Sequence, residues 1–270
     1  MELVKITYPS QGVALVTLNR SNKLNAVNLQ MYDEVNRAFV SLGSNTEIRA
    51  IVFTGNEKAF SAGMDFETFI EMGKTESEDP ARVAIFRYRL IKRIQSSVNS
   101  IEACGKPVIA AVSGYCLGAG VDFLSATDVR YCSKSTKVSI KEIAFGMTSD
   151  IGSIQRLPKV LGNNSWLREM IFTGRVADAK EARKNGLFSK VFDNYEETLN
   201  AALKLAEDIA EKSPVAMIGC KRNLSYSRDN SLEVGLDYAA YWNSWATQSP
   251  DTAIAVMSQI QKTKATFPKL

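Results

Sequence analysis

The first two thirds of the chain switch repeatedly between strand-like and helix-like patterns. Residues 12–19 (GVALVTLN) follow an alternating pattern and are rich in β-branched side chains, which predicts a strand. The continuous apolar runs 49–55 (RAIVFTG) and 107–114 (PVIAAVSG) predict strands that are buried on both faces. Residues 29–43 place apolar side chains at helical spacing after Asn28, a residue type that caps helices, and therefore predict a helix.

The later segments continue this alternation and then become helical throughout. Strands that alternate with helices favour an α/β core with parallel strand pairing. We therefore expect a core over 1–194 and a helical region over 195–270, with no linker between them. The remaining predicted elements are helices from near Asp65, from about Pro80 to Cys104, over 121–128 and after the cap Asp178, and strands over 128–134, 137–142 and 187–192.

Composition narrows the class of protein. The chain has 270 residues, of which 45% are hydrophobic, and this suits one large globular core with or without a helical appendage. The net charge of +4 comes from 33 basic and 29 acidic residues spread along the chain, so nucleic-acid binding is not indicated. A mildly basic surface would instead attract a small polyanionic molecule.

The chain contains no histidine, and this restricts its chemistry. Ser-His-Asp and Cys-His catalysis and every histidine metal site are excluded, so acid–base chemistry must use Asp, Glu, Lys, Tyr or Cys. None of the cysteines forms a C-x-x-C pair, which disfavours zinc and redox dithiols. We therefore expect no metal, no separate cofactor and free thiols in a reducing compartment. The cysteines are Cys104, Cys116, Cys132 and Cys220.

The ends of the chain carry information about its location. The first ten residues lack a long apolar core, so we expect no signal peptide. The most apolar stretch, 107–124, is interrupted by Gly, Ser and Asp122 and does not predict a membrane span. The last residues, Pro268-Lys269-Leu270, resemble the S-K-L peroxisomal signal. We expect a peroxisomal location with an import receptor as partner; cytoplasm and mitochondria are the alternatives.

Two glycine-bounded turns are the first candidates for chemistry. In 60–69 (FSAGMDFETF) and 113–123 (SGYCLGAGVDF), a strand and loop bring a glycine to a predicted helix start. The first backbone N–H groups of a helix have no acceptor within it and lie at its positive end. Two such groups that converge on one point form an oxyanion hole. Taken alone, each stretch is explained by the ordinary chemistry of a glycine-rich turn.

Two acids, Glu142 and Asp150, lie eight positions apart on either side of a mostly uncharged connector. A pair of carboxylates at one cavity is suited to proton transfer at carbon or oxygen. The same residues also fit structural roles: Asp150 could cap the helix that follows, and Glu142 could be a surface acid at a strand end. Asp122, at a predicted helix start, could be an acid favoured by the helix dipole.

Five segments together resemble the crotonase superfamily of enoyl-CoA hydratases and isomerases, over about residues 10–195. They are NKLNAVNLQMYDEV, FSAGMD, SGYCLGAGVDFLSATDVRYCS, GSIQRLPKVLG and FTGRVADAKEARKNGLFSKVF. The resemblance implies a spiral of ββα units with a C-terminal helical trimerisation region, assembled as a homotrimer or homohexamer. It implies an acyl-CoA substrate whose enolate oxygen is bound by the backbone N–H groups of Met64 and Ala119. It also implies substrate contacts near Lys23, Leu24, Ala62 and Gly120.

Within this superfamily, the positions matching Asp122 and Glu142 carry glutamates in the hydratases. The shorter Asp122 disfavours simple water addition, and the extra Asp150 resembles the dienoyl-CoA isomerase branch. There, the resemblance makes Glu142 the base at C2 and Asp150 the acid at C6, with Asp122 as a third acid. The alternatives are an enoyl-CoA hydratase, a Δ3-Δ2-enoyl-CoA isomerase, or a crotonase-fold binding or scaffold protein without activity.

Overall fold

Two stacked sheets form the core of the computed structural model, which describes residues 1–74 and 77–270. The larger sheet has six strands in the order β1-β2-β3-β5-β7-β10, and the smaller has four in the order β4-β6-β8-β9. The strands are Val4–Ser10 (β1), Val13–Leu18 (β2), Ala50–Thr54 (β3), Ala59–Ser61 (β4), Val108–Val112 (β5), Tyr115–Leu117 (β6), Val129–Ser133 (β7), Lys137–Ser139 (β8), Ala177–Asp178 (β9) and Lys190–Phe192 (β10).

Helices surround the sheets and make up the end of the chain. The helices are Leu29–Ser44 (α1), Phe66–Gly73 (α2), Pro80–Ala103 (α3), Ala119–Ser125 (α4), Ser153–Val160 (α5), Asn164–Thr173 (α6), Ala179–Lys184 (α7), Tyr195–Ala210 (α8), Pro214–Asp229 (α9), Leu232–Ala246 (α10) and Pro250–Gln261 (α11). Short 3-10 turns occupy Ser21–Lys23 and Glu142–Phe145. Asn28, Asp65 and Asp178 accept hydrogen bonds from first-turn N–H groups, which confirms these predicted helix starts.

Each turn of the chain gives one strand to each sheet. β3, β5 and β7 pair in parallel in the larger sheet, and the strands that follow them, β4, β6 and β8, pair in parallel in the smaller. A helix then returns the chain to the next turn. This repeat is the spiral of ββα units that the sequence predicted, and it brings the carboxyl ends of β4, β6 and β8 to one edge.

The spacing of apolar residues had outlined the larger sheet but missed the smaller one. β4 lies within a segment expected to be a loop, and β6 lies within the connection that was expected to run directly into a helix. Strands of three residues are too short for a repeating pattern to reveal them. The strand predicted over 137–142 ends at Ser139, and Glu142 begins a 3-10 turn instead of ending a strand.

The hydrophobic core has two layers. On one side of the larger sheet, aromatic rings from α1, β3, β4 and α4 pack edge to face, with centroids 5.2–5.9 Å apart for Phe39, Phe60 and Phe123 around Phe53. On the other side, Ala202, Ala206 and other small residues of α8 cover the sheet. The first helix after residue 194 therefore completes the core.

The last three helices expose many apolar side chains, among them Leu232, Leu236 and Trp245 of α10 and Ile260 of α11. Beyond α11 the chain folds back onto the core. Phe267 is buried, and Arg49 donates hydrogen bonds of 2.8 and 3.2 Å to the carbonyls of Phe267 and Pro268. Among the described residues, no helix combines the length and apolar character needed to cross a membrane.

Candidate active site

The site lies where the three parallel strands of the smaller sheet end. β4 is followed by Gly63 and Met64, β6 by Gly118 and Ala119, and β8 by the turn that begins at Glu142. Parallel strands deliver their carboxyl ends to the same edge, so three segments distant in sequence become neighbours. This convergence was expected for the two glycine turns, and the structure confirms that they meet: an ideal Cβ on Gly118 would lie 3.8 Å from Gly63 Cα.

The two glycines have backbones that other residues rarely adopt. Gly63 has φ +99° and Gly118 has φ +46°. Val27 and Met64 form a parallel β-bridge, but the hydrogen bonds are made by the neighbours of Met64. The Val27 N–H donates to the Gly63 carbonyl, and the Val27 carbonyl accepts a hydrogen bond from the Asp65 N–H. Met64 N–H therefore faces away from Val27, and Ala119 N–H begins α4. Neither N–H donates to another described residue, so both are free for a ligand.

Glu142 faces the second glycine turn. An ideal Cβ on Gly118 would lie 3.1 Å from its Oε1, so only a glycine leaves room for this carboxylate. Its Oε2 is buried without a hydrogen-bond partner among the described residues. Burial, and then the negative charge of Asp150, raise the pKa of Glu142. A carboxylate with a raised pKa and one free oxygen is suited to accept a proton.

Asp122 is fully buried one turn into α4. Its Oδ1 accepts hydrogen bonds from the Ser153 N–H at 2.6 Å and, at 3.4 Å, from the Ser149 hydroxyl. Its Oδ2 has no partner among the described residues. Burial, followed by the charge of Glu142, raises the pKa of Asp122 to about 7. Asp122 thus combines a structural contact with a free oxygen beside Glu142.

Asp150 does not cap the helix that follows it, so that alternative interpretation was wrong. The cap position of α5 is Gly152, whose φ of +146° favours glycine. The Asp150 carbonyl accepts a hydrogen bond of 2.7 Å from Gln95. Asp150 lines a cleft of about 260 Å³ together with Gln95 and Arg156, and this cleft does not include Glu142 or the two glycine turns. Partial burial raises the pKa of Asp150, although the residue as a whole is exposed.

The residues expected to contact substrate lie around the same edge. Leu24, in a left-handed conformation with φ 50°, accepts a hydrogen bond of 3.0 Å from Ala62 N–H. Lys23 is exposed beside them, and its ammonium group lies 3.9 Å from a carboxylate oxygen of Glu67. Close packing explains why a glycine is found at position 120, because a Cβ there would lie 3.1 Å from Ser61. Their contacts with substrate remain predictions.

One group at this site was missed by the sequence argument. The ring of Tyr32, from α1, packs against Phe123 with centroids 5.7 Å apart, and its hydroxyl is buried without a partner among the described residues. Nothing in an amphipathic helix distinguishes such a tyrosine from a core residue. Within the described part of the chain, no three His, Cys, Asp or Glu side chains are grouped as a metal site would need.

The enoyl-CoA hydratase/isomerase family model matches residues 9–267 of this chain. The chain belongs to that family, the crotonase superfamily anticipated from its motifs. Among solved structures, the enoyl-CoA hydratase of Bacillus anthracis is similar with a TM-score of 0.89 and 26% identity, covering 98% of each chain. That likeness supports the spiral fold and its C-terminal helices.

Curated relatives are more similar in sequence. A mitochondrial Δ3,5-Δ2,4-dienoyl-CoA isomerase of Mus musculus is 42% identical over the whole chain and 84% of the relative. A peroxisomal enzyme of the same name from Arabidopsis thaliana is 38% identical over the whole chain and 97% of the relative. A short-chain-enoyl-CoA hydratase of Clostridium acetobutylicum is 29% identical over 98% of the chain and 97% of the relative.

Proposed function

We propose that this protein is an isomerase that converts 3,5-dienoyl-CoA into 2,4-dienoyl-CoA in fatty-acid β-oxidation. The observation that carries the proposal is the presence of two carboxylates, Glu142 and Asp150, close enough for the charge of one to raise the pKa of the other. Glu142 lies against the glycine turn that precedes Ala119 N–H. Relatives that bear this activity in their names, at 38–42% identity over the whole chain, support it.

The reaction needs one proton removed at C2 and one added at C6. The thioester oxygen accepts hydrogen bonds from Met64 and Ala119, which acidifies the C2 proton and stabilises the enolate. Glu142 takes that proton, the double bonds shift along the chain, and Asp150 gives its proton to C6. Glu142 then loses a proton and Asp150 regains one, so no net proton is consumed. Asp150 reaches solvent, where it can be reprotonated.

The environment of Asp150 favours its proposed role as the general acid. A general acid must hold a proton near neutral pH, and the raised pKa of Asp150 favours this. The competing effect of a helix N-terminus is weakened because Gly152, and not Asp150, caps α5. The reaction moves only protons, so we propose no cofactor besides the CoA that is part of the substrate.

The hydratase alternative requires two carboxylates to hold one water. Here Oδ1 of Asp122 is occupied by Ser153 N–H, which leaves this shorter acid one oxygen for any water. A direct test supplies purified protein with 3,5-dienoyl-CoA and, separately, with 2-enoyl-CoA, and follows the absorbance of each. Rapid formation of the conjugated 2,4-diene is expected. Turnover of 2-enoyl-CoA alone would favour a hydratase, and no turnover of either would favour a binding protein.

We propose that residues 1–194 carry the acyl-CoA site and that 195–270 form the region for assembly into a trimer or hexamer. The exposed apolar side chains of α10 and α11 support this, because a monomer rarely exposes such a surface. Trp245→Glu should lower the mass measured by light scattering. Phe172→Glu, at an aromatic of α6 that is even more exposed than Trp245, should leave the mass unchanged. A monomeric wild-type mass at micromolar concentration would contradict the proposal.

We propose a peroxisomal location, reached through an import receptor that binds Pro268-Lys269-Leu270. The relatives named above are peroxisomal in one case and mitochondrial in the other, so the support comes from the tripeptide itself. A fluorescent fusion that keeps the C-terminus free should enter peroxisomes. Deletion of the last three residues should leave the fusion in the cytosol, and mitochondrial fluorescence of the full-length fusion would contradict the proposal.

A further inference from the structure

Three unpaired polar atoms are buried in one region of the protein. Among the described residues, the buried side-chain atoms without a hydrogen-bond partner include Tyr32 Oη, Asp122 Oδ2 and Glu142 Oε2. The others, on Ser10 and Asn223, lie apart, at the end of β1 and in α9. Buried polar groups are nearly always paired, so three at one place need an explanation.

The position of Tyr32 is fixed from two sides. Its carbonyl accepts a hydrogen bond of 2.5 Å from the Ser97 hydroxyl of α3, and its ring lies against Phe123, the residue next to Asp122. The side chain is 1% exposed. Ring and backbone therefore hold the hydroxyl beside α4, where the acids of the site begin.

The charges around this hydroxyl keep it protonated. Burial raises the pKa of Tyr32 well above its ordinary value, and the carboxylates of Asp122, Glu142 and Asp150 raise it further. Toward an ionised carboxylate, which has no proton to donate, a neutral phenol acts as a hydrogen-bond donor. Its natural acceptors are the two unpaired carboxylate oxygens.

We propose that Tyr32 is a positioning residue of the reaction centre, whose hydroxyl donates a hydrogen bond to the carboxylate pair formed by Asp122 and Glu142 during turnover. This inference rests on the proposed role of Glu142 as the base at C2. A donated hydrogen bond favours the ionised form of the pair, so it keeps Glu142 able to accept the proton. It also restricts the rotation of a carboxylate that has one free oxygen.

A purely structural role predicts different behaviour. Phenylalanine would pack the same ring against Phe123 without burying an unpaired hydroxyl, whose desolvation would otherwise be uncompensated. If Tyr32 were only a core residue, Tyr32→Phe should therefore raise the melting temperature and leave catalysis unchanged. If the hydroxyl serves the acids, the same change should impair catalysis and shift its pH dependence.

The test compares the kinetics of wild type, Tyr32→Phe and the control Tyr195→Phe with 3,5-dienoyl-CoA across the pH range. The Tyr195 hydroxyl, on α8, donates a hydrogen bond of 3.1 Å to the Gly55 carbonyl. Tyr195→Phe therefore removes a tyrosine hydroxyl that lies outside the site. Tyr32→Phe should lower kcat by about 10–100-fold, the range expected for one hydrogen bond to a charged group, with KM nearly unchanged. The acid limb of its kcat profile should move to higher pH, because the base loses a donor.

Two results would overturn the inference in distinguishable ways. A Tyr32→Phe enzyme with wild-type kcat and an unmoved acid limb, while Glu142→Gln is inactive, would reject Tyr32 alone. An active Glu142→Gln enzyme would reject the proposed base and the inference together. Circular dichroism of Tyr32→Phe over the same pH range verifies that the variant stays folded, so that acid unfolding cannot imitate the expected shift.

Discussion

Oδ1 of Asp122 accepts a 2.6 Å hydrogen bond from the backbone N–H of Ser153. Ser153 is the first residue of α5, whose first N–H groups have no acceptor within the helix, and the cap residue Gly152 has no side chain to cap them. A carboxylate from α4 therefore caps α5 across the tertiary structure. The contact ties together the helix that begins at Ala119 and the segment that carries Asp150, so the spacing of the proposed catalytic groups depends on it.

Asp122→Asn should change how stability depends on pH. Burial raises the pKa of Asp122 from 3.8 to about 7, so the folded state binds a proton that the unfolded state has released between these values. Wild-type stability should therefore fall as pH rises from 4 to 7, by about 4 kcal/mol at most. Asparagine keeps an acceptor for the Ser153 N–H and does not titrate, so the stability of the variant should not fall in this way between pH 4 and pH 7.

Urea unfolding of both proteins at pH 4 and pH 8 measures the difference. The free energy of unfolding of Asp122→Asn, relative to that of wild type, should be larger at pH 8 than at pH 4. The same difference at both pH values would mean that Asp122 is ionised in the folded state with no raised pKa.

Asp150→Asn should abolish most isomerisation while acyl-CoA affinity is kept. An amide cannot deliver a proton to C6, and general acid catalysis contributes roughly 10²–10⁴-fold. The melting temperature should stay near that of wild type, because Gly152 occupies the cap position of α5. Asp178→Asn is the matched control, since Asp178 does cap a helix and asparagine caps equally well. Unchanged turnover of Asp150→Asn would remove it from the mechanism.

Glu142→Gln should prevent exchange of the C2 hydrogen with deuterated water. The glutamine cannot accept the proton that the free Oε2 is proposed to take. Nuclear magnetic resonance of bound 3,5-dienoyl-CoA measures the exchange, and Asp150→Asn should retain it while failing to protonate C6. Persistent exchange in Glu142→Gln at the wild-type rate would place the base elsewhere, with Asp122 as the next candidate.

Gly118→Ala should impair turnover far more than Met64→Ala. The alanine Cβ would lie 3.1 Å from Glu142 Oε1 at a φ of +46°, so it would displace the proposed base and strain the turn before Ala119 N–H. Met64→Ala keeps its backbone donor, and losing one such donor costs about 3 kcal/mol in a transition state. Kinetics of both variants, after circular dichroism verifies folding, make the comparison. Equal activities would contradict a backbone oxyanion hole at these turns.

The sequence predicted the elements that are long or strongly patterned. The buried strands around Val52 and Ile109 and the helix after Asn28 needed only apolar periodicity and a cap residue. The two glycine turns could be found because both bring a glycine to a predicted helix start, although either turn alone fits ordinary turn chemistry. The short strands β4 and β6, which make those turns adjacent, have too few residues for a pattern.

The contacts within the site could not be predicted from the sequence for a different reason. Asp122 and Ser153 are 31 positions apart, and no local rule relates an acid in one helix to the first N–H of another. Tyr32 occupies an apolar position of α1, where a tyrosine is consistent with ordinary packing. Only the fold shows that its hydroxyl and the two acids are buried in the same region.

The C-terminal tripeptide is held against the domain before any receptor meets it. Arg49 binds the carbonyls of Phe267 and Pro268, and Lys269 pairs with Glu47 at 2.6 Å. A receptor that takes these residues as an extended peptide must select molecules in which the tail is released. Its apparent affinity for the folded protein is therefore lower than for the isolated peptide, by the fraction of time that the tail is open.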